Sequence, residues 1–82
     1  MPKFMDVKRG MTGITAEELD EVHRADRAAE HEEGVHFEHV WADPRSGTVF
    51  CLSEAPSEEA VRRAHERAGH PVDEIHPVSL SV

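Results

Sequence analysis

Residues 35–54, VHFEHVWADPRSGTVFCLSE, hold the reading that decides the fold. Val35 to Ala42 carries alternating apolar residues, several β-branched or aromatic, which is the pattern of a strand. Asp43-Pro44-Arg45-Ser46-Gly47 is turn chemistry, and Thr48 to Glu54 is a second strand. The two are expected to pair as a hairpin, with Val40 opposite Cys51 and Glu38 opposite Ser53 to within one or two residues. Thr48-Val49-Phe50-Cys51-Leu52 is apolar on both faces, whereas a strand covered on one side alternates. Both faces of the sheet are therefore expected to be covered.

Working outward, Lys3 to Arg9 reads as a strand in which Asp6 and Lys8 share a face with Phe4. Two glycines, Gly10 and Gly13, mark a loop. Thr15 and Glu18 then form a capping box, with Ile14 and Leu19 as a hydrophobic staple. The helix they open is expected to run to Glu33 and stop at Gly34. Its apolar stripe is Leu19, Val22, Ala25 or Asp26, and Ala29. Beyond the hairpin, Ser57 caps a second helix with Ala60, Val61, Ala64 and Ala68 as the buried stripe and Gly69 as the stop. Glu74 to Val82 alternates as a last strand. Pro77 interrupts it, implying an edge position or a split into two short strands.

The order strand–helix–strand–strand–helix–strand is the α+β, ferredoxin-like arrangement: an antiparallel sheet with two helices on one face. At 82 residues, positions 1–82 are read as one domain with a small core. Helices cover one sheet face, so the doubly apolar third strand implies a homodimer packed through the open one.

Composition narrows the function. Seventeen acidic against nine basic residues give a formal charge of −8, which repels phosphate backbones and attracts cations. Nucleic acid is an unsuitable partner. No apolar run has transmembrane length and the N-terminus lacks the apolar core of a signal peptide, so the expected location is the cytoplasm, with no membrane partner. One cysteine, Cys51, excludes an internal disulfide. Seven histidines in so short a chain are an excess, and histidine is the commonest metal ligand.

Three groups carry candidate chemistry. His36 and Glu38, two apart on a strand, project from one face, and His39 from the other; imidazole and carboxylate suit a borderline divalent ion. The plainer reading is a polar edge-strand face, with His39 packed beside Trp41. His65 and His70 straddle the end of the second helix and are spaced to meet, although a histidine near a helix C-terminus is also favourable in itself. His23, Asp26, Arg27 and Glu30 share a helix face, either as a His–carboxylate pair or as a solvated salt-bridged surface. Cys51 reads as a small buried hydrophobe.

Several strings resemble a known family along nearly the whole chain: Thr15-Ala16-Glu17-Glu18-Leu19, Gly34-Val35-His36-Phe37, Val49-Phe50-Cys51-Leu52-Ser53-Glu54-Ala55-Pro56, and His65 through Ala68-Gly69-His70-Pro71. That family comprises small bacterial ferredoxin-like proteins, formerly a domain of unknown function, described through an actinobacterial nickel-binding member. The resemblance implies a homodimer that binds nickel at its surface for sequestration rather than catalysis. It also implies family positions at His23, Asp26, Cys51, Glu54 and His65.

The expectation is thus a cytoplasmic homodimer binding Ni2+, or another divalent transition metal. His36, Glu38 and His39 form one ligand source and His65 with His70 another, with Asp6 as a carboxylate from the adjacent surface. The alternative is a small-molecule enzyme using a pocket of His23, Asp26, Cys51 and Glu54. A large enclosed pocket with those side chains converging would favour the enzyme, and surface-clustered histidines with no cavity the metal; a third option is a structural dimerisation module whose histidines only decorate an acidic surface.

Overall fold

A computed structural model describes residues 1–82 and has the expected α+β architecture. Strand β1 (Lys3–Lys8) leads to helix α1 (Ala16–Ala28) and the single-turn helix α2 (Glu30–Glu33). Strands β2 (His36–Asp43) and β3 (Thr48–Glu54), helix α3 (Glu58–Arg67) and strand β4 (Glu74–Pro77) follow. The sheet order is β2-β3-β1-β4 and every pairing is antiparallel. This is the ferredoxin-like order, with β3 and β1 central and the helices on one face.

Local chemistry explains the boundaries. The Thr15 hydroxyl accepts the Glu18 amide at 3.1 Å, and the Glu18 carboxylate accepts the Thr15 amide at 3.0 Å, completing the capping box. The Ser57 hydroxyl caps α3 by accepting the Ala60 amide. The expected continuous helix to Glu33 is instead broken at Ala29, whose amide donates to Asp26. The break lets the chain turn inward. Gly34 takes the left-handed conformation, Val35 donates to the Glu30 carbonyl, and the Glu30 side chain accepts from the Phe37 amide at 3.1 Å. Val35 and Phe37 are thereby buried beneath the helices.

The hairpin departs from its expected register by one residue. Val40 does face Cys51, but Ser53 faces Phe37 rather than Glu38, because a bulge falls between Phe37 and His39. The extra residue reverses the faces of the strand on either side of it. Phe37 consequently lies on the helix side with Phe4, Cys51 and Val61, while His39 and Trp41 lie on the open side with Leu52 and Phe50. At the hairpin tip, Gly47 has φ +73° and sits against Met11 and Thr12 of the 10–13 loop, where a side chain would collide with backbone.

The last strand is shorter than expected. β4 occupies a sheet edge, ends at Pro77, and is not followed by a second strand segment. The Val78 amide still donates to Lys3, but Leu80 and Val82 are exposed.

The core beneath the helices comprises Phe4, Val35, Phe37, Cys51, Ala55, Ala60, Val61, Ala64 and Ile75. Ser53 lies on this face, fully buried, with no hydrogen-bond partner for its hydroxyl. An unpaired buried hydroxyl costs stability that a methyl group does not. Ser53→Ala is therefore expected to raise the unfolding free energy by about 1 kcal/mol. Urea denaturation checks this, and a loss of stability would show that the hydroxyl has a partner.

Candidate functional site

Three polar residues occupy positions that the sequence pattern reserves for the core. Asp6 alternates with Phe4 on β1, Asp26 follows Val22 by one turn on α1, and His65 lies in the stripe of Val61, Ala64 and Ala68 on α3. Each is at most 2% exposed. They meet. His65 Nε2 lies 2.7 Å from Asp6 Oδ2, and His65 Nδ1 lies 3.0 Å from Asp26 Oδ1. Cys51 is paired with Asp6 across β1 and β3, on the same sheet face. Single donor atoms of Asp6, Cys51 and His65 all lie within 4.8 Å of one another. The Phe37 ring packs against the imidazole with centroids 4.9 Å apart.

Both imidazole nitrogens face carboxylate oxygens, so both donate and the ring is an imidazolium. Burial by itself opposes that charge. The hydrogen bonds that the ring donates to Asp26 and Asp6, with the charge of Asp6, outweigh it and carry the His65 pKa to about 11. Burial raises Asp6 above the usual carboxylate range despite its bond to His65, and the charge of Asp26 adds to the rise. Burial likewise pushes the Cys51 thiol up to about 11, so Cys51 is a protonated thiol at neutral pH and not an activated nucleophile.

A cavity of about 10 Å³ adjoins the cluster, lined by Asp6, Asp26, Cys51, His65 and the half-buried His70, with Lys8 and four valines. It has room for one water or ion. The loop bearing His70 is held by two bonds, from the His70 amide to the His65 carbonyl at 2.9 Å and from Lys8 Nζ to the Pro71 carbonyl at 3.0 Å.

Of the sequence candidates, Asp6, His65 and His70 are thus brought together, though Asp6 and His65 are in the interior rather than on the surface. His36, Glu38 and His39 are not. His36 Nδ1 pairs with Glu30 at 3.1 Å, Glu38 accepts from Lys3 at 3.1 Å, and the His39 ring stacks on Trp41 with centroids 4.4 Å apart. The bulge takes Glu38 out of the regular alternation that paired it with His36. The enzyme constellation does not assemble either. Asp26 and Cys51 line the cavity, but Glu54 is on the other sheet face with the N-terminal amine and Lys3, and His23 is not in the lining. Cys51 and Asp26 as companions of His65 were missed as a metal set.

The profile of the family described as nickel responsive protein, SCO4226-like, matches residues 4–78. The chain belongs to that family. Its fold superposes on the crystal structure of SCO4226 from Streptomyces coelicolor A3(2) with a TM-score of 0.96, at 64% sequence identity, covering 98% of this chain and 99% of that one. No curated protein sequence matches. No helix in this SCO4226-like chain is long and apolar enough to cross a membrane.

The buried imidazolium makes stability depend on pH. Below about pH 6.5 both folded and unfolded chains hold the second imidazole proton, and the contribution of His65 is whole. As pH rises from there toward 11, the unfolded chain releases a proton that the folded chain keeps, and the contribution is lost. Cys51, also shifted upward, adds a loss of its own above about pH 9. Unfolding free energy is expected to fall by up to about 1.4 kcal/mol per pH unit between pH 7 and 9. Urea titrations across that range check it; a flat profile would mean that His65 is neutral when folded.

Proposed function

We propose that this protein binds Ni2+ and sequesters it in the cytoplasm as a homodimer, without catalysing a reaction. The observation that carries the reading is the size of the space at the converging side chains. Asp6, Asp26, Cys51 and His65 adjoin a cavity of about 10 Å³, which admits an ion or a water and excludes an organic substrate. Membership of a family described as nickel responsive supports nickel over other divalent ions. A net charge of −8 favours the approach of a cation. The donor types suit borderline metals generally.

The homodimer reading rests on the open sheet face. Met5, Val7, Phe50, Leu52 and Trp41 all lie on it, and Phe50 and Trp41 are among the most exposed large apolar residues of the chain. A contiguous apolar face rimmed by Lys3, Glu54 and Glu74 has the composition of an interface.

Calorimetric titration of metal-free protein with Ni2+ at pH 7.5 is expected to give saturable binding. Absence of heat, together with no nickel retained after desalting, would overturn the reading. Phe50→Glu is expected to shift the chain from dimer to monomer in sedimentation equilibrium while keeping its helical circular dichroism. A wild-type monomer at micromolar concentration would remove the dimer from the proposal.

A further inference from the structure

We propose that residues 78–82 of one copy lie along the outer margin of strand β2 of a second copy, with Leu80 against Trp41, and so close the seam between two sheets packed through their open faces. The inference rests on the homodimer reading above and names the segment that crosses between the copies.

The segment has the pattern of a strand but no strand beside it. Val78, Leu80 and Val82 alternate with Ser79 and Ser81. The ladder between β1 and β4 pairs Met5 with His76 and Phe4 with Pro77, and the Val78 amide adds a bond to the Lys3 carbonyl at 3.0 Å. Carried one step further, this register sets Ser79 opposite Pro2. Pro2 has no N–H, and its carbonyl accepts from Ala55 instead. The Met1 amine is held by Glu54 at 3.7 Å. Neither residue is placed to continue the ladder.

The side chains of the segment point to an occupant. Ile75 lies in the core and His76 beside Met5 on the open face, so the alternation puts Val78, Leu80 and Val82 on the open-face side. Met1 apart, the exposed large apolar residues are these three together with Trp41 and Phe50 of that same face, and Leu80 is 90% exposed. Segment and face therefore form two parts of one apolar surface.

Strand β2 offers the other side of the contact. It is the sheet edge opposite β4. Its first half is blunted, because the Glu30 side chain takes the Phe37 amide and the bulge follows. From His39 to Asp43 it pairs regularly with β3 and contains neither Lys nor Pro, the residues that ordinarily protect an edge. A two-fold axis along the strands, between sheets packed face to face, sets β4 of one copy over β2 of the other. The two strands run in opposite senses, so the approach is antiparallel. An extended chain reaches about 13 Å from Val78 to Val82, against about 10 Å between packed sheets. The three apolar side chains then line the interior between the sheets, and the two serines face water.

The test uses the full chain. Isotope-filtered NMR of dimers mixed from labelled and unlabelled protein should show contacts between the Leu80 methyl groups of one copy and the indole of Trp41, the single tryptophan, of the other. Leu80→Asp changes a residue that the single domain leaves exposed, so its helical circular dichroism should be unchanged. Its dimer should be weaker by about tenfold or more in sedimentation equilibrium, because a carboxylate replaces a buried leucine. Leu80→Met should dimerise as wild type does. A wild-type dimer in which Leu80 touches no Trp41 of the other copy would overturn the crossing segment and leave the homodimer standing. A Leu80→Asp dimer as tight as wild type would do the same. A wild-type monomer would overturn both.

Discussion

A positive charge held between two carboxylates, shielded from bulk solvent, is the constraint around which this small domain is arranged. His65 comes from the last helix, Asp26 from the first and Asp6 from a central strand, so the one imidazole ties three elements that the chain visits far apart. Desolvating such charges is expensive, and their mutual attraction repays the cost only when each donor has an acceptor in good geometry. Both ring nitrogens meet that condition here. Removing any one partner would leave a buried charge uncompensated, a far larger loss than trimming an exposed pair such as Lys3 with Glu38. The helices are therefore positioned on the sheet by polar as well as apolar contacts, and the side chains around His65 have little freedom to be replaced singly.

A second set of ionic contacts stabilises the helical layer from outside. Glu33 at the end of the short second helix accepts from Arg63 at 2.8 Å and Arg67 at 2.7 Å on the third. Those guanidinium groups hold its carboxyl below the ordinary range. The break at Ala29 thus does more than turn the chain. It aims one carboxylate, Glu30, at the start of β2 and another, Glu33, at α3.

Much of this was legible in the residues. Capping by Thr15 and Ser57, the Gly34 stop, the turn at Pro44 and Gly47, and the order of elements follow from local chemistry that tertiary contacts did not override. The site was legible only in fragments. Asp6, Asp26 and His65 each stand where an apolar residue belongs in a strand or helix period, and a polar residue in a core position must find a partner. Periodicity could show that each needed one, but only the folded register could show that they satisfied each other. Cys51 read as a buried hydrophobe because a mid-strand cysteine between Phe50 and Leu52 carries no local sign of its neighbours. The bulge is marked in the residues themselves: the apolar positions change phase between Phe37 and Val40, with the consecutive polar pair Glu38-His39 at the change.

That change of phase divides β2 between two surfaces. Val35, just before the strand, and Phe37, just inside it, answer to the interior and to the imidazole against which Phe37 lies. His39 and Trp41, after it, answer only to whatever meets the open sheet. A single inserted residue therefore uncouples the two halves of the strand: a change on the outer half meets only the open face, while a change on the inner half disturbs the core.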